Sequence, residues 1–169
     1  MDRPSGQQSK IEIRHAFRPG DAGRLIELHG RLYSQEYGFD YTFEAYVAKP
    51  LAEFMLTQTL RERIWLVDSD AVLMGSVAIV KHSETEAQLR WFLLHPSLRG
   101  SGLGTRLMAE AVEFCRESSY QNVFLWTVSS LLAAAQVYHK AGFRLTEEHA
   151  QELWGSRLTE QRYDLDLRT

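Results

Sequence analysis

From Leu93 to Thr105 the chain reads Leu-Leu-His-Pro-Ser-Leu-Arg-Gly-Ser-Gly-Leu-Gly-Thr. An apolar, strand-like run (Leu89 to Leu94) stops at His95-Pro96. A basic, glycine-rich turn follows, and then Leu103, Leu107, Ala111 and Phe114 line one stripe of an amphipathic helix. Residues of these types in this order can hold an anion. Glycine opens backbone conformations closed to other residues and lets a ligand come close. The free N–H groups of the helix's first turn point at that ligand, with the helix dipole adding positive potential. A Walker loop needs a lysine before its Ser/Thr, and Gly104-Thr105 has none. A dinucleotide fingerprint needs G-x-G-x-x-G, and Gly100, Gly102 and Gly104 are spaced differently. An ordinary strand-to-helix turn with extra glycines is the plain alternative.

A second segment decides between them. Arg99-x-x-Gly102-x-Gly104 resembles the Arg/Gln-x-x-Gly-x-Gly/Ala loop of the GCN5-related N-acetyltransferases. Ala134-x-x-x-Tyr138-x-x-x-Gly142-Phe143 is similar to that family's Ala-x-x-x-Tyr-x-x-x-Gly-Phe, in the expected order along the chain. The resemblance implies a coenzyme A site and an acetyl-CoA-dependent N-acetyltransferase acting on a primary amine of a small molecule or protein. Leu93, Leu94 and His95 would pair with the pantetheine arm through their backbones. Arg99 and the amides of Gly100, Ser101, Gly102, Leu103 and Gly104, with the Thr105 hydroxyl, would hold the pyrophosphate. His95 has a second reading, as the residue that shapes the strand exit before Pro96.

The resemblance also implies a general acid, Tyr138, whose phenol is protonated at neutral pH and can donate to the departing thiolate. A core tyrosine is the alternative. The base is less defined. Relatives often carry a glutamate early in the fourth strand where this chain has Gln88, a neutral amide. Glu86, two residues earlier, lies on the same strand face if no bulge intervenes and is the candidate, against a solvated strand-end carboxylate. Leu131 replaces the asparagine often found seven residues before the tyrosine. Acceptor candidates are His29, Tyr33, Glu36, Tyr37 and Trp154, with Tyr41 beside them, because aromatic walls and carboxylates attract ammonium groups; core packing is the alternative for these aromatics and the favoured reading for Trp91 and Trp126 on the central strands. Tyr33-x-x-Glu36-Tyr37-Gly38-x-Asp40 and Glu152-x-Trp154-Gly155 resemble the acetyltransferase half of bacterial proteins that fuse it to a MarR-type regulator. Two other roles for the same fold are a non-catalytic acyl-CoA-binding module and a regulatory interaction domain.

Elements must position these residues. The alternation from Ile11 to Phe17 reads as a first strand. Asp21 is placed to cap a helix running to about Ser34, and Thr42 one running to about Gln58, with a kink or break at Pro50. Strands follow at Ile64–Val67, Val72–Val80 (after an Asp68-Ser69-Asp70 turn) and Ala87–Leu94. The glycine turn leads to a helix ending near Ser118, then a strand at Asn122–Thr127. A helix over Leu131–Lys140, capped by Ser129 or Ser130, ends at Gly142, and the final strands are Phe143–Glu147 and Arg162–Leu167. This is an α/β (α+β) order, βααβββαβαββ: a mixed twisted sheet of about seven strands with helices on both faces.

The chain has 169 residues, 44% of them apolar and 24% charged, enough for one hydrophobic core. The expected division is a mobile tail over residues 1–10 and one domain over 11–169. A formal charge of −3 argues against direct nucleic-acid binding. No apolar run suits a membrane span or secretory leader, and one cysteine, Cys115, reads as a packing residue. A cytoplasmic enzyme with no metal, and a homodimer formed through terminal strands as in many relatives, complete the expectation.

Overall fold

Strand β1 spans Ile11–Arg14, and helices α1 (Asp21–Tyr37) and α2 (Thr42–Thr57) follow. Then come β2 (Arg63–Ser69), β3 (Val72–Lys81), β4 (Glu86–Leu94), a 3₁₀ turn at Pro96–Leu98, α3 (Leu103–Glu117), β5 (Asn122–Val128), α4 (Leu132–Lys140), β6 (Arg144–Leu153) and β7 (Ser156–Asp166). These elements come from a computed structural model that describes residues 8–169. Residues 1–7 of the expected tail lie outside the described residues. Lys10 is already joined to the fold, exchanging hydrogen bonds with Asp70.

The strands form one sheet in the order β1-β2-β3-β4-β5-β7-β6, antiparallel throughout except for the β4–β5 pair. Side chains alternate between its faces. On β2, Trp65 and Val67 pack with Leu107, Met108 and Phe114 of α3, whereas Ile64 and Leu66 pack with Phe43, Val47, Leu51 and Phe54 of α2. Helices α1 and α2 therefore cover one face and α3 and α4 the other, because each presents a single apolar stripe. Cys115 is fully buried under α3, and burial pushes its thiol up to about 12, so it is a packing group.

The structure departs from the sequence pattern at several points. Asp21 is not a cap. Gly20 holds that position in the left-handed conformation. The Asp21 carboxylate instead accepts the Arg18 amide and two bonds from Arg14, which also grips the buried Asp68. Asp68 thus belongs to β2, and the turn falls at Asp70-Ala71, both at positive φ. Helix α1 continues to Tyr37, where the Gly38 amide (φ +73°) closes on the Ser34 carbonyl. Pro50 does not divide α2, although it cannot donate to the Tyr46 carbonyl one turn earlier. Leu131 holds the N-cap of α4 without a side-chain cap, rather than Ser129 or Ser130. The last hairpin is far longer than its apolar pattern suggests, because nearly all of β6 is exposed and carries no period to read. Its tip, Trp154-Gly155, turns with both residues at positive φ.

The feature that makes a site is a gap. Strands β4 and β5 pair only through Glu86–Asn122, Ala87–Val123 and Gln88–Phe124, then separate. A bulge in β4 opposite Val77, with Trp91 at φ +50°, bends the strand where the separation begins.

Candidate functional site

Two cavities open from this gap. The outer cleft, about 500 Å³, runs from the parted strands to the glycine turn and is bounded by α1 and α4. The inner chamber, about 90 Å³, lies between β4, β5 and α2 under the Trp154 hairpin tip. Tyr33, Phe92 and Leu131 line both cavities, so the two meet there.

Gly100, Gly102, Gly104 and Thr105 face the outer cleft. Gly100 (φ +76°) and Gly102 (φ +82°) take conformations that L side chains resist, and the space beside each is open. Gly102 is the N-cap of α3. The first intrahelical bond, Arg106 to the Gly102 carbonyl, leaves the amides of residues 103–105 without helical partners. The cradle suits a pyrophosphate. Ser101 instead donates its hydroxyl to the Leu98 carbonyl, holding the turn, and Leu103 packs against the core.

Arg99 has a more specific job than its motif suggests. Its guanidinium makes a bidentate pair with Glu36 of α1 (2.9 and 2.9 Å), and its Nε donates to the Leu94 carbonyl. Both Arg99 and Glu36 line the outer cleft, as does Tyr37. Glu36 and Tyr37, expected from the sequence among the acceptor residues, therefore line the outer cleft with the glycine turn and do not reach the inner chamber. Lys140 at the end of α4, unnoticed in the sequence because its lone charge follows no motif, adds a second cation to the cleft.

The three residues expected to pair with pantetheine divide by strand parity. The His95 amide is taken by Met74 on β3, and the Leu93 carbonyl lies against Gly75. Alternation along the strand then turns Leu94 toward the open side. His95 accepts the Ser97 amide on Nδ1 and shapes the 3₁₀ exit, the plainer of its two readings.

Tyr138 is 5% exposed and lines the inner chamber beside the junction, with Phe92, Phe143 and Tyr163 around its ring. Burial drives its phenol well above the ordinary tyrosine range. Tyr33 is shifted the same way for the same reason. His29 is 3% exposed, and its Nδ1 lies 2.8 Å from the Leu25 carbonyl. A carbonyl only accepts, so in the neutral ring Nδ1 carries the proton and Nε2 is a free acceptor. Nε2 has no partner, and neither has the Thr127 hydroxyl; both residues line the inner chamber. Burial lowers His29 to about 4, which keeps it neutral.

Trp154, Trp91 and Trp126 also line the chamber, while Tyr41 is 81% exposed and does not. Glu86 is not brought to either cavity. Asn122 and Arg162 both donate to it at the paired end of β4, the latter at 3.0 Å. Gln88 and Arg90, farther along the same strand, do reach the chamber. Among the described residues no cluster of His, Cys, Asp or Glu could hold a metal, and no helix is long and apolar enough to cross a membrane.

Residues 25–143 match the model of the acetyltransferase (GNAT) family. An uncharacterized N-acetyltransferase of Schizosaccharomyces pombe is 30% identical over 120 residues, covering 69% of this chain and 73% of the relative. The uncharacterized N-acetyltransferase YjgM of Escherichia coli is 29% identical, covering 67% and 71%. Among solved structures, yncA from Salmonella typhimurium, determined with its cofactor acetyl-CoA, superposes with a TM-score of 0.73 at 18% identity, covering 93% of this chain and 94% of that one. An acetyltransferase of Staphylococcus aureus gives 0.75 at 16% identity, covering 94% and 100%. The glycine cradle at the start of α3, the parted strands and the matched sequence span together mean that this chain belongs to the GNAT family of acetyl-CoA-dependent N-acetyltransferases.

Proposed function

We propose that this enzyme moves the acetyl group of acetyl-CoA to a primary amine, carried by a small molecule or exposed on a protein, by direct attack of the amine on the thioester. The observation that carries the reading is the meeting of the two cavities at Tyr33, Phe92 and Leu131. A donor entering along the outer cleft and an acceptor in the inner chamber come together only there.

In this reading the residues 100–105 turn holds the pyrophosphate, and the Leu94 amide offers the backbone donor for the pantetheine, the Leu94 carbonyl being taken by Arg99. Arg99 either stays on Glu36 or turns to a phosphate. Positioning of two reactants is itself a large contribution, with effective molarities of roughly 10⁵ M in well-oriented systems. Tyr138 supplies the proton for the leaving thiolate. His29 Nε2 and Thr127 Oγ1 are unpaired and available to orient the amine, and water-mediated loss of the amine proton serves where Glu86 cannot reach. Glu36 and Tyr37, from the segment resembling MarR-fused acetyltransferases, belong to the donor side of this scheme and Trp154 to the acceptor side. A cytoplasmic location, and a homodimer paired through the free edge of β6, extend the proposal.

Thiol release from acetyl-CoA, followed across an amine panel beside calorimetric titration of acetyl-CoA, tests it. Saturable binding with amine-dependent release is expected. Binding without release for any amine would leave only an acyl-CoA-binding module, and absence of binding would remove the reading altogether.

A further inference from the structure

Arg90 stands on β4 at the bulge, one residue before Trp91. Before the bulge, Gln88 and Arg90 share a face of the sheet, and the extra residue then places Trp91 on the α2 side as well, against Phe54. The result is a guanidinium delivered into the inner chamber, beside Gln88 and Tyr46. Its neighbours are poor partners for a cation of this kind. The Gln88 amide oxygen is 3.4 Å away, and the Tyr46 and Trp91 rings lie 5.9 and 5.4 Å from the guanidinium carbon. No carboxylate of the described residues lies within 4.0 Å of it. Glu160 lines the same chamber but pairs with His149 at 3.5 Å, and Glu53 attracts Arg90 only through space.

Arg90 is half-buried, and taking even part of a guanidinium out of water without an ion pair is costly. Desolvation is the largest influence on Arg90 and disfavours its charged form. Arg14, Arg99 and Arg162, by contrast, each have a carboxylate within 3.0 Å. Arg90 has the fork that a planar oxyanion fits with two parallel hydrogen bonds, and a place in the cavity where the acceptor must sit.

We infer that the acceptor carries an oxyanion, a carboxylate or phosphonate, on the same small molecule as its amine, and that Arg90 is the group that binds it. This deepens the proposed function and rests on it for the identity of the inner chamber. It narrows the acceptor to amino-acid-like molecules. The anion is anchored at the bulge, and the amine is left to reach the junction at Tyr33 and Phe92.

The test uses L-amino acids and aminoalkylphosphonates, each beside the amine lacking its anionic group and, for the amino acids, the carboxamide. Thiol release and thermal stabilisation of the coenzyme A-loaded protein are read in parallel. The anionic member of a pair is expected to exceed its neutral counterpart in kcat/KM by roughly 10-fold or more, the usual consequence of losing a charge-assisted hydrogen bond at a half-buried guanidinium. Arg90→Gln should abolish that preference chiefly through KM, Arg90→Lys should restore part of it, and acetyl-CoA affinity should not change. A purely structural arginine would lower the melting temperature when replaced. An unpaired ligand-binding one should leave it unchanged or raised in Arg90→Met. Neutral amines serving as well as their anionic parents would overturn the inference. So would failure of every anionic member both to react and to stabilise. Stabilisation by anionic members that depends on Arg90, without thiol release, would uphold the anion site while removing the transferase reading.

Discussion

At neutral pH the Tyr138 phenol is a donor whichever way its surroundings are counted. An ordinary tyrosine loses its proton near pH 10, and burial, with the phenols of Tyr33 and Tyr163 adding to it, moves Tyr138 higher still. A raised pKa suits a proton donor and excludes a base. Tyr138→Phe is therefore expected to lower kcat by about 100-fold, the low end of what a positioned acid contributes. Acetyl-CoA binding measured by calorimetry should be unchanged, because the ring stays in its packing against Phe92 and Phe143. An undiminished kcat in the variant would contradict the assignment, and an alkaline fall below about pH 10 that vanished in the variant would keep Tyr138 as the donor but contradict its raised pKa. The carboxylate candidate shows the opposite lesson. Glu86 carries the right chemistry at a legible spacing, yet Asn122 and Arg162 hold it at the closed end of the strand pair. Spacing along a strand gives the face, and only the partner strands decide which end of that face is open.

At the level of elements, most of the fold can be read from the chain because the burial periods are plain. The continuous apolar run of β2, the α3 stripe and the glycines at 38 and 142 announce themselves. What escaped notice lacks a local signal. The bulge that puts Arg90 and Trp91 in the chamber depends on register against β3, and the reach of the last hairpin depends on exposed strands with no apolar period. The glycine turn was legible for the opposite reason, since its glycines are required locally. A methyl group at Gly102 would meet no atom within 4 Å, so its cost is conformational, about 1–2 kcal/mol for a left-handed residue. Gly102→Ala should weaken acetyl-CoA binding about tenfold as the turn relaxes away from that geometry. Gly20→Ala is the control. Gly20 has a comparable φ of +94° and equally open space but lies outside both cavities. It should match the fall in melting temperature and leave affinity alone. Equal affinity losses in the two variants would show that strain, not the cradle, sets binding.

The whole molecule's response to acid follows from His29, which is buried on α1 with its Nδ1 against the Leu25 carbonyl one turn earlier in the same helix. In the folded protein its pKa is lowered to about 4, with burial the cause, whereas in the unfolded chain it is near 6.5. Below pH 6.5 the unfolded chain takes up a proton that the folded one refuses. Stability is thus full above 6.5 and falls as pH drops toward 4, by as much as about 3 kcal/mol. Asp21, whose carboxylate is lowered by Arg14, acts in the same direction but at the lower pH of the carboxylate range. The two are therefore separable. Urea unfolding at pH 7, 5.5 and 4.5 should show stability declining with acid in the parent and a flatter dependence in His29→Gln, even if that variant is less stable throughout. An unaltered slope would mean that another group takes up the proton. Because α1 also carries Tyr33 and Glu36, which line the outer cleft, and Tyr33 lines the inner chamber as well, protonation of His29 should loosen both cavities together. Acetyl-CoA, binding only the folded form, should shift the midpoint of the acid transition to lower pH.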